Sequence, residues 1–413
     1  MLIRILGAAA GGGFPQWNAA SEACRRARAG DPAARPATQA ALAVTADGAH
    51  WVVIEASPDL RQQIEAVPAL HPKRGPRSSP IAAVIPTNGE VDSIGGLLHL
   101  REGTPFVLWA HPRILALLDA NPIFEVVDRR IVPRRALPLD RWIALEDAEG
   151  APLGLEVRAF DVAGKPPLFL EKAARDGPPA ASEPGDVIGL ELRARGRRLV
   201  WIANCGRLDP PLLERCAGAD VVFVDGTLWR DDELLLAGIA ARTGRDMGHV
   251  SLFGPEGVLA RLGPVPAGRK ILVHLNNTNP VLLADSPERA AVERLVADPG
   301  WDVALLVLHG GVNRVAHAAS SPGASVGEKR CWDVGGLDFS APSIWGSTPG
   351  VLPARRIGRF GGRTNDAGYV ATAFRIARRR TNRSRASLGH TIRRAPCGVK
   401  RGHGRPAPVG VSA

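Results

Sequence analysis

Four polar segments in this chain each lie just past a short strand-like run: Thr87–Ser93, Asp225-Gly226-Thr227, Met247-Gly248-His249 and His274–Asn279. Runs of this length bounded by turn residues read as buried strands. Loops beyond strand ends are where layered α/β scaffolds place functional groups. The repeated junction therefore constrains both the fold class and the location of any chemistry.

The remaining pattern agrees. Leu2–Leu6 is a first strand that runs into the small-residue loop Gly7–Gly13. Ala41–Val44 and Trp51–Glu55, separated by Asp47-Gly48, read as a hairpin. Ser57–Ile64 has a capping residue and a proline for a helix start. Ile81–Pro86 is a buried strand, with a helix expected from Leu97. Phe106–Ala110 is a strand and Pro112–Leu118 a helix. Leu155–Phe160 and Asp186–Leu192 are strands on either side of a Pro- and Ala-rich excursion at 171–185. Arg198–Ala203, Val221–Val224 and Lys270–His274 are later strands. Ser286–Val296 is a capped helix with Glu288 in its first turn, and Trp301–Leu308 is a last strand. Paired strands followed by strand-loop-helix repeats predict two sheets with helices outside, an α/β (α+β) architecture.

The formal charge of +11 on 413 residues would point to nucleic acid or an anionic surface if it were evenly spread. Beyond residue 304, however, 18 Lys and Arg face four Asp and Glu, whereas residues 1–304 hold 34 against 37. The body, 1–304, is near neutral, and the continuation, 305–413, is basic, with clusters such as Arg378-Arg379-Arg380. Its composition suits disorder or a translated frameshift. No recognition helix, zinc finger or aromatic platform accompanies the arginines, so no specific nucleic acid is expected. No apolar run is long enough to span a membrane. The five cysteines show no disulfide spacing, and a cytoplasmic protein is expected.

Asp92, Asp225, His249 and His274 offer two carboxylates and two imidazoles, a donor set suited to iron, manganese or zinc. Each has a bland alternative: a helix cap for Asp92, a turn for Asp225, a structural histidine for His249, an Asx-rich surface loop for His274–Pro280. Glycines 11–13 permit close backbone approach or anion binding. The basic loop His71–Arg77 is either a solvated connection or a grip on a substrate carboxylate.

In the stretches Gly7–Asn18, Ser57–Arg77, Thr87–Glu102, Asn121–Phe124, Phe223–Glu233, Met247–Glu256 and Lys270–Pro287, the chain resembles the pyrroloquinoline quinone (PQQ) biosynthesis protein B family. The resemblance runs to about Val303. It implies a metallo-β-lactamase αββα sandwich in which Asn88, Glu90, Asp92 and Ser93 occupy the positions of the superfamily's His-x-His-x-Asp-His signature. Ser93 stands where the family keeps histidine. Ala19, Ser21 and Cys24 stand where it has three cysteines of a structural zinc, so that zinc is expected to be absent.

The metal set implied is Asp92, Asp225, His249 and His274, holding iron, with His249 and Asp92 in catalytic roles. Asn88, Glu90, Asn276, Asn277 and Thr278 would orient ligands, and Arg77 would face substrate. The activity implied is iron- and dioxygen-dependent hydroxylation of the tyrosine ring in a Glu-Tyr precursor fragment. The alternative is a non-catalytic carrier for transport of PQQ or its precursor; a homo-oligomer is compatible with either.

Overall fold

The computed structural model describes residues 1–173 and 182–295. The basic continuation, the Trp301–Leu308 strand and part of the 171–185 excursion lie outside the described residues.

Strands β1 (Leu2–Gly7), β2 (Ala41–Thr45), β3 (Trp51–Ile54), β4 (Ile81–Ile85), β5 (Val107–Ala110) and β6 (Arg134–Ala136) form one six-stranded sheet in that order. Strands β7 (Trp142–Glu146), β8 (Pro152–Asp161), β9 (Ile188–Ala194), β10 (Arg197–Ile202), β11 (Val221–Asp225) and β12 (Lys270–Val273) form the other. The first three strands pair antiparallel and β3 through β6 parallel; in the second sheet β7 through β10 are antiparallel and β10 through β12 parallel.

The period-two geometry of a strand sorts successive residues into different layers. In β2, Leu42 and Val44 pack between the sheets while Ala41 and Ala43 face the outer layer. In β10, Leu199 and Trp201 point to the inter-sheet core and Val200 and Ile202 to the other side. Helices Leu60–Glu65 and Pro112–Asp119 cover the first sheet through Leu60 and Leu118; Pro210–Cys216 and Pro287–Leu295 cover the second through Leu212 and Val292. This is the expected sandwich of two sheets with helices outside.

Some local expectations are corrected. The helix expected from Ser57 begins at Leu60; the Ser57 hydroxyl accepts from Asp59 N and donates to Gln63 in the turn before it. Leu97–Arg101 does not open an α-helix; Gly95–Leu100 is a 3-10 turn. Strands β6 and β7 were not expected; β6 is Arg-Arg-Ala, whereas β7 is apolar but only five residues long. Arg135 lies over Trp109 at 5.4 Å, and Trp142 is stacked by Arg158 at 4.8 Å and Arg193 at 4.1 Å. Guanidinium stems can bury aromatic surface while the charged heads keep their polar partners.

Helix Pro287–Leu295 starts as expected: the Ser286 hydroxyl accepts from Arg289 N at 3.0 Å and donates to Pro280 O at 2.8 Å. Replacing Ser286 with Ala is expected to lower stability by about 1 kcal/mol through the lost cap. Chemical denaturation would check this, and a shift indistinguishable from zero would show that the cap is not used.

Candidate metal centre

Parallel strands β4, β11 and β12 end on the same rim, so their carboxyl-terminal loops converge, as the crevice rule for such sheets requires. Asp225 is the last residue of β11 and is fully buried; His274 follows β12 and is 7% exposed. His249 arrives from the loop after the Arg245–Met247 turn, where Gly248 takes φ +81°. Asp225, His249 and His274 bring one donor atom each to within 4.8 Å of one another, the only three-ligand group of this kind among the described residues.

Buried hydrogen bonds hold these side chains. Thr227 N and its hydroxyl both donate to Asp225 Oδ1, at 2.8 and 2.6 Å. Cys205 N donates to Asp225 Oδ2 at 2.8 Å. With its proton given to Asp225, the Thr227 oxygen accepts from His274 Nδ1 at 2.8 Å. His249 Nδ1 donates to Asp225 Oδ2 at 2.6 Å. The two imidazoles are stacked with centroids 5.1 Å apart. Asp92 joins from the other sheet, its Oδ2 3.0 Å from His274 Nε2.

Burial works to raise the Asp225 pKa, but the charges of His249 and His274 and the surrounding hydrogen bonds overcome it and hold the group below its ordinary value. Burial also opposes ionisation of Asp92, but the His274 hydrogen bond together with the charges of His274 and His249 outweighs it and holds the group below its ordinary value. For His274, burial favours the neutral ring, yet Asp92 and Asp225 raise its pKa above the ordinary value. An ion that binds through His274 competes with a proton for the ring nitrogen.

The donors fit a divalent ion. Ligands about 2.1 Å from a common metal are at most about 4.2 Å apart, so small side-chain rotations close the set. One carboxylate and two imidazoles is also the composition of the facial triad that holds non-haem iron.

The other anticipated residues fall into different places. Asn88 Oδ1 accepts from Glu90 N at 2.8 Å, while its buried Nδ2 has no partner among the described residues. Glu90 pairs with Lys165 Nζ at 2.9 Å. Ser93 is buried at the end of the Thr87–Ser93 loop and bonds to Glu55. Asn276 Nδ2 donates to Thr278 Oγ1 at 2.6 Å, and the Thr278 hydroxyl donates to Glu233. Asn277 Nδ2 donates to Gln16, and the Cys24 thiol donates to Asn277 Oδ1 at 3.8 Å. Ser21 caps the helix Glu22–Arg28 by accepting from Cys24 N, and Ala19 packs against the outer core. Arg77 is exposed and does not line the cavity in front of the centre. Gly11 does lie close: a Cβ there would sit 3.2 Å from Asp92 Oδ2.

Three residues carry weight that the sequence left unassigned. Thr227 binds all three triad members. Glu55 is buried at φ +66°, accepts from Thr87 N and Thr87 Oγ1, and receives Trp201 Nε1 at 3.1 Å from the opposite sheet. Burial pushes its pKa up against those bonds. Lys165 lines the cavity. Asp225-Gly226-Thr227 did contain a signal for Thr227, a hydroxyl two residues past a buried carboxylate; an acid ending β3 and a lone lysine carried none.

The Beta-lactamase superfamily domain matches residues 50–275. Coenzyme PQQ synthesis protein B of Gluconacetobacter diazotrophicus is 54% identical over 299 residues, covering 72% of this chain and 95% of that protein. The chain belongs to the coenzyme PQQ synthesis protein B family. The same-named protein of Methylorubrum populi is 46% identical over 304 residues, 74% of this chain and 97% of the relative. A crystal structure of Zn(2+)-bound PqqB from Methylobacterium extorquens superposes with a TM-score of 0.68 at 45% identity, covering 74% of this chain and 97% of the other. The metallo-β-lactamase fold and a role in PQQ biosynthesis follow for this chain, together with a candidate Asp-His-His metal triad. Among the described residues no helix is long and apolar enough to cross a membrane.

Proposed function

We propose that this protein hydroxylates the tyrosine ring of a Glu-Tyr precursor fragment at an iron centre held by Asp225, His249 and His274, with Asp92 completing the set. The observation that carries the reading is a two-imidazole, one-carboxylate triad whose His249 and His274 line a cavity of about 1120 Å³. That volume is ample for a dipeptide-sized ligand.

A bound ferrous ion would supply the activation of dioxygen; one oxygen atom enters the ring, the other leaves as water, and an external reductant provides two electrons. The chain's own residues do the positioning. Thr227 orients His274 by engaging Nδ1, which directs Nε2 toward the centre. Asp92, beside that nitrogen, is placed to take up a proton. Trp17 and Phe169 line the cavity and give a flat ring apolar contacts. The free, buried thiols Cys24, Cys205 and Cys216 suit a reducing cytoplasm.

The test is anaerobic loading of the full chain with ferrous iron, followed by oxygen and the Glu-Tyr dipeptide. Near one iron per chain and a hydroxylated ring are the expected results. Tight binding of finished PQQ without metal or oxygen dependence would instead favour the carrier.

Ser93 lowers the number of imidazoles available. Ser93→Val, which removes the hydroxyl bonded to Glu55, is expected to change iron affinity less than about threefold, whereas Ser93→His should raise it at least about tenfold by adding a donor. Competition titration against a chelator reads both. An unchanged affinity in Ser93→His would show that position 93 does not reach the ion.

A further inference from the structure

The Glu-Tyr reading leaves open what recognises the ligand's carboxylates, since Arg77 lies away from the cavity. Lys165 and Arg242 both line it. Lys165 is the better placed. Its side chain is 21% exposed, its ammonium sits 2.9 Å from Glu90 Oε1, and that same oxygen accepts Leu168 N at 3.0 Å. Glu90 is therefore fixed by two donors and in turn fixes the ammonium at the wall.

The lysine stem has a second constraint. A Cβ on Gly248 would lie 3.3 Å from Lys165 N and 3.4 Å from Lys165 Cγ. The residue that precedes His249 thus gives up its side chain where the lysine passes. This packing fixes the base of the lysine stem beside the residue that precedes His249, and the side chain lines the same cavity as Trp17 and Phe169.

Lys165 and Arg242 bring the lysine and arginine cations of the lining, and Glu90 and Asp92 its carboxylates. An ammonium has three donors and can serve two carboxylates at once, and charge-assisted bonds of this kind are stronger than neutral ones.

We infer that Lys165 is a specificity-determining residue, binding a carboxylate of the aromatic acid substrate while Glu90 holds the ammonium in place. The inference rests on the reading of this cavity as the Glu-Tyr site. The ligand class is an aromatic ring bearing at least one carboxylate, and a neutral analogue is discriminated against.

The test titrates the full chain calorimetrically under anaerobic conditions, with and without ferrous iron, using the dipeptide Glu-Tyr and its neutral diamide. The wild-type chain is expected to bind the acid at least about tenfold more tightly than the diamide. Lys165→Met should abolish that preference while leaving affinity for the diamide within about twofold. Glu90→Gln, which breaks the ion pair but keeps the ammonium, should retain a preference for the acid, so that loss of the pair's structural tie is separated from loss of recognition. A preference that survives in Lys165→Met overturns the assignment, as does equal binding of acid and diamide by the wild type; both leave the Glu-Tyr reading standing. Binding of neither probe overturns the subsite together with that reading.

Discussion

His274→Ala is expected to lower metal affinity by more than about a hundredfold, so that no iron remains after anaerobic loading and desalting. Removing a residue that only orients a ligand costs about 10–100-fold, and His274 is placed as a ligand itself. Its imidazole is the hub of the site: Nδ1 meets Thr227 at 2.8 Å, Nε2 lies 3.0 Å from Asp92, and the ring stacks on His249. Its backbone is held at φ +59°, a conformation that a non-glycine residue adopts at a cost and that clusters at functional sites. Without the ring, Asp92 and Asp225 face each other's charge with one imidazole between the sheets, so the variant should also be checked for a cooperative unfolding transition. Thr227→Val provides the comparison, with an expected loss within the 10–100-fold range because it removes only the orienting hydroxyl. Stoichiometric iron in His274→Ala would remove the residue from the ligand set.

The contrast between His274 and Glu55 shows what the sequence could and could not reveal. His274 precedes Leu275-Asn-Asn-Thr-Asn279 and follows a buried strand, so a dense polar cluster behind apolar residues marked it directly. Asp225 was marked in the same way at the end of β11. These are local signals, carried by residues close in the chain. The sandwich was legible for the same reason: β2, β3 and β11 are nearly all apolar, and short apolar runs of this kind need no partner to be read. Glu55 acquires its meaning from Trp201, which is 146 positions away, and from Thr87, 32 positions away. Lys165 depends on Glu90, 75 positions away. No spacing rule links such pairs, and each alone looks like an ordinary charged residue. Arg77 is the opposite case: arginine chemistry suits a carboxylate, but its loop is exposed and it does not line the cavity in front of the centre. The edge strand β6 was missed because it is three residues long with two arginines, one of which lays its guanidinium over Trp109 of the neighbouring strand; β7 was missed although it is apolar, being only five residues long.

Trp201→Ala is expected to cost about 3–5 kcal/mol of stability, the range for truncating a large aromatic residue in a packed core. Trp201 is fully buried in the middle of β10 and lies against Phe223 of β11, with ring centroids 5.5 Å apart. Its removal opens a cavity between the sheets that the surrounding strands cannot close without breaking their ladders. It also removes the indole N–H from Glu55, leaving a buried carboxyl with one fewer donor. Since domains of this kind are stable by only about 5–15 kcal/mol, the variant should unfold at much lower denaturant. Trp201→Phe separates the two effects. It keeps most of the aromatic volume and loses the donor, so it should cost about 1–3 kcal/mol. Equilibrium denaturation of the three proteins reads both differences. A Trp201→Phe loss as large as that of Trp201→Ala would assign the stabilisation to the Glu55 bond; a Trp201→Phe loss near zero would assign it to packing and leave Glu55 held by Thr87 and Ser93 alone.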